Sequence, residues 1–199
     1  MLTRDPLHTA AASPDEALLI TTIPIMNTDD KLKDHPDNWA ECLMTAYVKR
    51  MIYQTKGFPR PLNRNAAPTY KISPVAGKGV GMVAARRIGV GEMICDERPL
   101  LVVPTIMTPL TTPDLSFMKT ATREQIVQAK LAEFEKTMIM MVERMPQENQ
   151  DAYKALHNCH KHDGSGPLTG IMRTNGFGLA DHIRDKGMYR SSCLFSSSK

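Results

Sequence analysis

The chain has 199 residues, 42% of them hydrophobic, which suffices for one ordinary domain with a core or at most two small domains. Its 25 basic and 21 acidic residues are interleaved and give a net charge of +4, so the sequence lacks the dense basic stripe of a dedicated nucleic-acid-binding protein. No apolar run is long enough to span a membrane and no secretory signal begins the chain, so we expect no membrane association and a location in the nucleus or cytoplasm.

The N-terminal third is predicted to hold one helix between irregular segments. Residues 1–35 mix small, polar and proline positions and are expected to form a disordered tail. Residues 36–55 place apolar side chains at helical spacing, which predicts an amphipathic helix that ends before Gly57. The next residues carry three prolines and three basic side chains without periodicity, so 36–69 is predicted as a helix followed by a basic, proline-rich linker.

Basic side chains are frequent in this helix and linker. They are Lys49, Arg50, Lys56, Arg60 and Arg64. Contact with acidic partners such as nucleic acid is one interpretation, and a solvated face is the other. The sequence leaves both open.

Short β-strands separated by tight turns are predicted from residue 70 onward. The segments 70–75, 81–85 and 93–103 are each bounded by glycine or proline, as strands of small sheets often are. Residues 104–120 are rich in proline and threonine and are predicted to form a loop.

A helical insertion is predicted over about residues 122–158. Thr122 and Gln125 have the spacing of a capping box, and apolar residues then recur at helical intervals until Pro146. Pro146 is expected to open a second helix that runs to about residue 158. The methionines of the first helix are interpreted as core, although a pliable binding surface is the alternative. Residues 160–170 are predicted to be irregular, with a short strand at 171–173.

A glycine-rich turn at 77–81 is the most informative motif of the chain. Gly79, Gly81 and Ala84 match the G-x-G-x-x-A spacing of dinucleotide-binding loops. That interpretation is disfavoured, because Gly89 and Gly91 follow too soon to leave room for the helix that must face a pyrophosphate. A hairpin turn whose glycines serve geometry alone is the plainest alternative.

Two blocks of sequence resemble the SET domain family of protein-lysine methyltransferases. Residues 78–99 (KGVGMVAARRIGVGEMICDERP) follow the order with which SET domains open: a Gly-x-Gly turn, an apolar strand, an Ile before a Gly-Glu turn, and a strand closing on Glu-x-Pro. Residues 164–177 (GSGPLTGIMRTNGF) resemble the mid-domain segment of fungal-type and MYND-related members, in which an Asn ahead of an aromatic residue lies beside the cofactor.

The resemblance implies an α+β, SET-like fold of short twisted strands with a helical insertion, incomplete at the C-terminus. It implies S-adenosylmethionine as the cofactor and a protein lysine as the substrate of full-length relatives. Carried over by position, Lys78, Gly79, Val80 and Gly81 would line the methionine end of the cofactor, and Asn175 would hydrogen-bond near the same moiety.

The chain departs from the family after residues 187–189. The Asn-His-Ser-Cys motif and the later catalytic tyrosine have no counterpart, so no catalytic residue is assigned. We therefore expect a C-terminally truncated form, with a partial SET-like domain at 70–190 and a flexible tail at 191–199. Missing strands would leave exposed sheet edges, which predicts marginal stability. A non-catalytic binding fragment is the alternative function, and a nucleotide-dependent enzyme is a more distant one.

Potential metal ligands cluster near residue 160. They are His157, Cys159, His160, His162 and Asp163. Because no second ligand pair lies at the spacing of a zinc finger, we predict no metal site and interpret the cluster as a polar helix end and loop. The four cysteines are widely spaced, and we expect reduced thiols.

Overall fold

The computed structural model describes residues 14, 17–23, 40–59, 68–104 and 120–178, together with the backbone of 191–195. Residues 105–119 of the loop predicted at 104–120, most of the predicted tail at 1–35, the middle of the linker and residues 187–189 lie outside these ranges. The described part combines small sheets with helices, in agreement with the predicted α+β class. Within it, no helix is both long and apolar enough to cross a bilayer.

The described strands form two sheets. A five-stranded sheet has the order β1-β2-β5-β7-β6, and β3 and β4 form a separate two-stranded sheet. The strands are β1 Leu18–Ile23, β2 Ala40–Thr45, β3 Tyr70–Val75, β4 Gly79–Ala84, β5 Pro99–Pro104, β6 Phe177–Gly178 and β7 Ser191–Phe195; the helices are α1 Ala46–Gln54, α2 Arg123–Glu143, α3 Gln147–Lys154 and α4 Pro167–Asn175.

The N-terminal prediction was wrong in two places. Strand β1 lies in the segment predicted as a disordered tail, and β2 occupies the first half of the predicted helix. Strand β2 is central, antiparallel to β1 and parallel to β5, and all six of its residues are buried. A strand buried on both faces loses the polar–apolar alternation by which strands are recognised, so its apolar residues resembled a helical face. The helix starts at Ala46, where the Thr45 hydroxyl accepts from the Val48 amide at 3.3 Å.

Strands β5 and β7 also differ from expectation. Strand β5 begins at Pro99 and not at residue 93, so the six residues before it are irregular chain. Strand β7 lies in the serine-rich segment predicted as a flexible tail and pairs antiparallel with β5, with Leu101 opposite Leu194. The backbone ladder of β5 supplies the partner that makes this segment a strand, and composition alone does not reveal it.

Helix α2 forms as predicted and carries much of the core. Its capping box is present: the Thr122 hydroxyl accepts from the Gln125 amide, and the Gln125 side chain accepts from the Thr122 amide. The predicted methionine core is confirmed, because Met138 and Met141 are fully buried. They pack in one cluster with residues of β2, β5, α3 and α4, among them Leu43, Leu101, Tyr153 and Ile171.

The segment after α2 forms two further helices. Helix α3 starts after Pro146 as predicted, but it ends at Lys154, before the predicted residue 158. The strand predicted at 171–173 was wrong, since these residues belong to α4. Pro167 at the first helical position is a helix-start signal that outweighs the apolar pair Ile171–Met172.

Candidate cofactor site

The glycine-rich motif forms the tip of the β3–β4 hairpin. The strands pair from Tyr70 opposite Ala84 to Val75 opposite Gly79, which leaves a tight turn between Val75 and Gly79. The Lys78 amide donates to the Val75 carbonyl at 2.9 Å and closes this turn. The predicted strands at 70–75 and 81–85 are therefore confirmed, with β4 beginning two residues early.

Two glycines of the tip adopt a backbone conformation that side chains disfavour. Gly77 has φ +70° and Gly79 has φ +77°, both in the left-handed region. A Cβ at either position would meet no atom within 4 Å. The positive φ, and not a lack of space, is therefore what favours glycine at these two positions. Gly81 differs, because its Cβ would lie 3.1 Å from Val75 Cγ2. The backbone around Lys78 is consequently open to solvent and accessible to a ligand.

Side chains at the base of the hairpin anchor it to the segment before β5. The Thr69 hydroxyl donates to the Ile94 carbonyl at 2.5 Å, and the Tyr70 hydroxyl donates to Glu97 Oε1 at 3.0 Å. The hairpin itself is exposed: Val80 keeps 70% and Met82 57% of its surface accessible. No residue of β3 or β4 belongs to either hydrophobic cluster found in the described ranges.

The second turn of the motif, at residues 89–92, is held by a hydrogen bond and an ion pair to Glu92. Gly91 has φ +77°, and the Gly89 amide donates to Glu92 Oε2 at 2.9 Å. Arg86 forms an ion pair with Glu92. The hydrogen bond from Arg86, and then that from Gly89, lowers the pKa of Glu92 below its ordinary value. Glu92 is thus a turn-stabilising carboxylate here.

Asn175, the fifth predicted site residue, is the last residue of α4. Its Nδ2 donates to the His157 carbonyl at 2.7 Å and to the Ile171 carbonyl at 2.8 Å. Both hydrogens of the side-chain amide are therefore engaged, while Oδ1 accepts no hydrogen bond from the described residues. Within the same ranges no hydrogen bond or ion pair joins α4 to the hairpin. The structure thus groups Lys78, Gly79, Val80 and Gly81 at one tip and places Asn175 on another element.

The histidine-rich segment is organised by Asp163 and not by a metal-like ligand set. The Ser165 hydroxyl donates to Asp163 Oδ1 at 2.5 Å, and Asp163 Oδ2 lies 2.7 Å from both His160 Nδ1 and Arg173 Nη1. These hydrogen bonds, chiefly that of Ser165, hold the pKa of Asp163 far below its usual range. Among the described residues, no group of three or more His, Cys, Asp or Glu side chains is placed to hold a metal ion.

The described cysteines form no disulfide with one another. Cys42, Cys95 and Cys159 are free thiols. Burial, helped by the charge of Glu41, raises the pKa of Cys42 to about 12, which makes this thiol a poor nucleophile at neutral pH. The exposed Cys159 Sγ lies 3.3 Å from the Thr174 hydroxyl.

Two carboxylates with structural roles escaped the sequence analysis. Glu135 of α2 accepts from the Leu168 amide at 2.9 Å and the Thr169 amide at 2.7 Å, and so caps the start of α4. Glu41 of β2 is 1% exposed and accepts from Arg144 Nε at 2.5 Å. The Gly166-Pro167 pair marks the helix that Glu135 caps, whereas no local signal identifies either carboxylate, because their partners are distant in sequence.

Comparison with known proteins adds no relative to this description. No family model, curated protein or solved structure matches the chain.

Proposed function

We propose that this chain is a SET-type protein, related to protein-lysine methyltransferases, that binds S-adenosylmethionine at the tip of the β3–β4 hairpin. The observation that carries the proposal is the tip itself, where two left-handed glycines flank Lys78 in an exposed turn. When bound, the cofactor supplies an electrophilic methyl group on sulfur, for which a protein lysine amine is the proposed acceptor. A nuclear or cytoplasmic location belongs to the same proposal.

The chemistry of the tip suits the methionine end of this cofactor. Amino acid ligands present an ammonium and a carboxylate, which backbone carbonyl and amide groups recognise where no Cβ blocks their approach. Gly77 and Gly79 provide such a backbone, because the space around their Cβ positions is open. Lys78 adds a positive charge between them for the carboxylate.

Asn175 would offer the cofactor a hydrogen-bond acceptor but no donor. Its two amide hydrogens are already bonded to the His157 and Ile171 carbonyls, so Oδ1 is the atom left for a ligand. An ammonium donor is the complement of that oxygen. No catalytic residue is proposed, since no residue of this chain matches the catalytic motifs of the family.

A non-catalytic interaction role is the second candidate, and the exposed apolar surface of the hairpin favours it. Ile72, Val80 and Met82 keep 47%, 70% and 57% of their surfaces accessible. Exposed apolar side chains that cluster on one surface are common at sites where another protein chain docks. The two candidates differ in whether the hairpin tip binds a small ligand.

Thermal unfolding with and without S-adenosylmethionine tests the proposal, beside NAD and ATP at equal concentration. A ligand that binds only the native state at one hundred times its Kd stabilises it by about 2.7 kcal/mol, which raises Tm by roughly 5–10 °C in a chain of this size. We expect that shift with S-adenosylmethionine alone. A shift with ATP or NAD would favour a nucleotide site instead.

Matched lysine variants locate the binding. Lys78→Ala removes the charge at the tip, whereas Lys71→Ala removes an exposed charge from β3 of the same hairpin, away from the turn. We expect Lys78→Ala to reduce the S-adenosylmethionine shift and Lys71→Ala to leave it unchanged. No shift for the unmodified chain, or equal loss in both variants, contradicts a cofactor site at the tip.

A further inference from the structure

Strand β1 forms one edge of the described five-stranded sheet and has no role in the proposed cofactor site. It has six residues, whereas β6 at the opposite edge has two. Long edge strands usually carry a charge, a proline or a bulge that prevents another strand from pairing with them. The β1 sequence, LLITTI, has neither charge nor proline, and it pairs with β2 in one unbroken register. We propose that the β1 edges of two copies of this chain pair antiparallel and form a dimer.

Every second residue of β1 directs its backbone groups away from β2. The Ala46 amide donates to the Ala17 carbonyl at 3.1 Å, so these residues form a hydrogen-bonded pair one step beyond the β1–β2 ladder. Hydrogen-bonded and non-hydrogen-bonded pairs alternate along antiparallel strands. The outward N–H and C=O groups therefore belong to Leu18, Ile20 and Thr22. Within the described ranges these backbone groups have no hydrogen-bond partner.

The three outward residues are arranged symmetrically about Ile20, so a second β1 fits as their partner. In the antiparallel register that uses all of them, Ile20 lies opposite Ile20 of the second copy, and Leu18 lies opposite Thr22 of the second copy. Each opposed pair exchanges two hydrogen bonds, so the three pairs supply about six. A two-fold axis at Ile20 relates the copies, and the contact closes at two chains.

The side chains beside this edge suit an uncharged, apolar strand. Leu18 and Ile20 contact the main hydrophobic cluster on one face of the sheet but stay half-buried. Leu19 is half-buried on the other face, where it and α1 line a groove of about 390 Å³. Helix α1 itself packs through Val48 and Ile52 on a cluster drawn mainly from β2. A second β1 carries aliphatic side chains on both of its faces and would cover these surfaces, whereas a charged strand would lose hydration there.

Sedimentation equilibrium of the full chain measures the association. Stable dimers bury about 800 Å² on each partner, which a six-residue edge with its adjacent groove does not reach, so we expect a Kd in the micromolar range. Between roughly 1 and 200 µM, the average mass should rise from that of one chain toward that of two. A constant monomer mass would overturn the proposal and leave the edge to a different strand. A mass that passes the dimer without a plateau would also overturn it.

Cysteine variants test the register of the two strands. Ile20→Cys places two thiols opposite each other at a Cα separation of about 5.5 Å, which a disulfide can span. Leu18→Cys is the matched control on the same face, and its two copies would lie roughly 14 Å apart. Under mild oxidation we expect a covalent dimer from Ile20→Cys and none through position 18 from Leu18→Cys. Circular dichroism checks that both variants fold, and peptide mapping separates these bonds from any between the native cysteines.

A mixture of two variant chains makes the test independent of Ile20. Leu18→Cys and Thr22→Cys lie opposite each other in the proposed register, so the mixture should form a disulfide that neither variant forms alone. A disulfide through position 18 as abundant as that through position 20 would overturn the register. The absence of a disulfide from both the Ile20→Cys chain and the mixture would overturn the β1–β1 pairing.

Discussion

Substitution of Gly166 by alanine is expected to remove the cap of α4 indirectly. Gly166 precedes the helix with φ 75° and ψ 160°, a region open essentially to glycine alone. Its Cβ would lie 2.6 Å from Glu135 Cδ and 2.7 Å from Cγ. Glu135 would have to move, and it would then lose its bonds to the Leu168 and Thr169 amides.

The expected free energies follow from these two costs. The backbone strain of alanine at position 166 costs about 2 kcal/mol. Removing the Glu135 carboxylate from the two amides at the start of α4 costs about 2 kcal/mol more. Gly166→Ala should therefore destabilise the chain by about 4 kcal/mol and Glu135→Ala by about 2 kcal/mol. The double variant should also lose about 4 kcal/mol, because the cap is lost only once.

Urea unfolding followed by circular dichroism measures this coupling. Gly89→Ala is the matched control, since the added Cβ would lie an ordinary 3.7 Å from Glu92 Oε2 and the φ of Gly89 is not positive. Its effect should stay within about 0.5 kcal/mol. If the double variant lost the full sum of about 6 kcal/mol, the two residues would act independently and the indirect mechanism would be refuted.

Three further predictions concern the helical part of the chain. Thr122→Ala removes the α2 capping box and should cost about 1 kcal/mol in urea unfolding, whereas Thr122→Ser should restore most of it. Met138→Ala opens a cavity at a fully buried position and should cost about 2–5 kcal/mol, against less than about 0.5 kcal/mol for Met140→Ala on the exposed side. The pKa of Asp163 is lowered in the native state, so its charge stabilises the fold above the unfolded pKa of about 3.9 and less as pH falls. Asp163→Asn should therefore be destabilised at pH 7, and its difference from the unmodified chain should shrink below about pH 4; a constant difference would contradict this role.

Local signals predicted the elements that depend on neighbouring residues. Helix α2 was recognisable because Thr122, Gln125 and its methionines carry their information within the helix itself. The β3–β4 hairpin was recognisable because Gly77 and Gly79 mark the turn that joins its strands. In each case the residues that identify the element lie within the element itself.

Elements that depend on distant partners were missed. Strand β2 is defined by β1 on one side and β5 on the other, and nothing in the apolar pattern of 40–45 distinguishes it from a helix. The prediction of the candidate cofactor site from sequence is limited in the same way. The sequence predicts Lys78 and Asn175 separately as candidate site residues, but their relative placement depends on how the hairpin and α4 pack in the fold.

The central position of β5 has a consequence for synthesis on the ribosome. One edge of β5 pairs with β2, which has already emerged, while the other edge pairs with β7. Roughly 90 residues separate β5 from β7, so at about 5–20 residues per second the second edge of this apolar strand stays open for several seconds to about 20 s. Open apolar edges recruit other strands. The nascent chain should accordingly depend on chaperones most strongly between the emergence of β5 and that of β7.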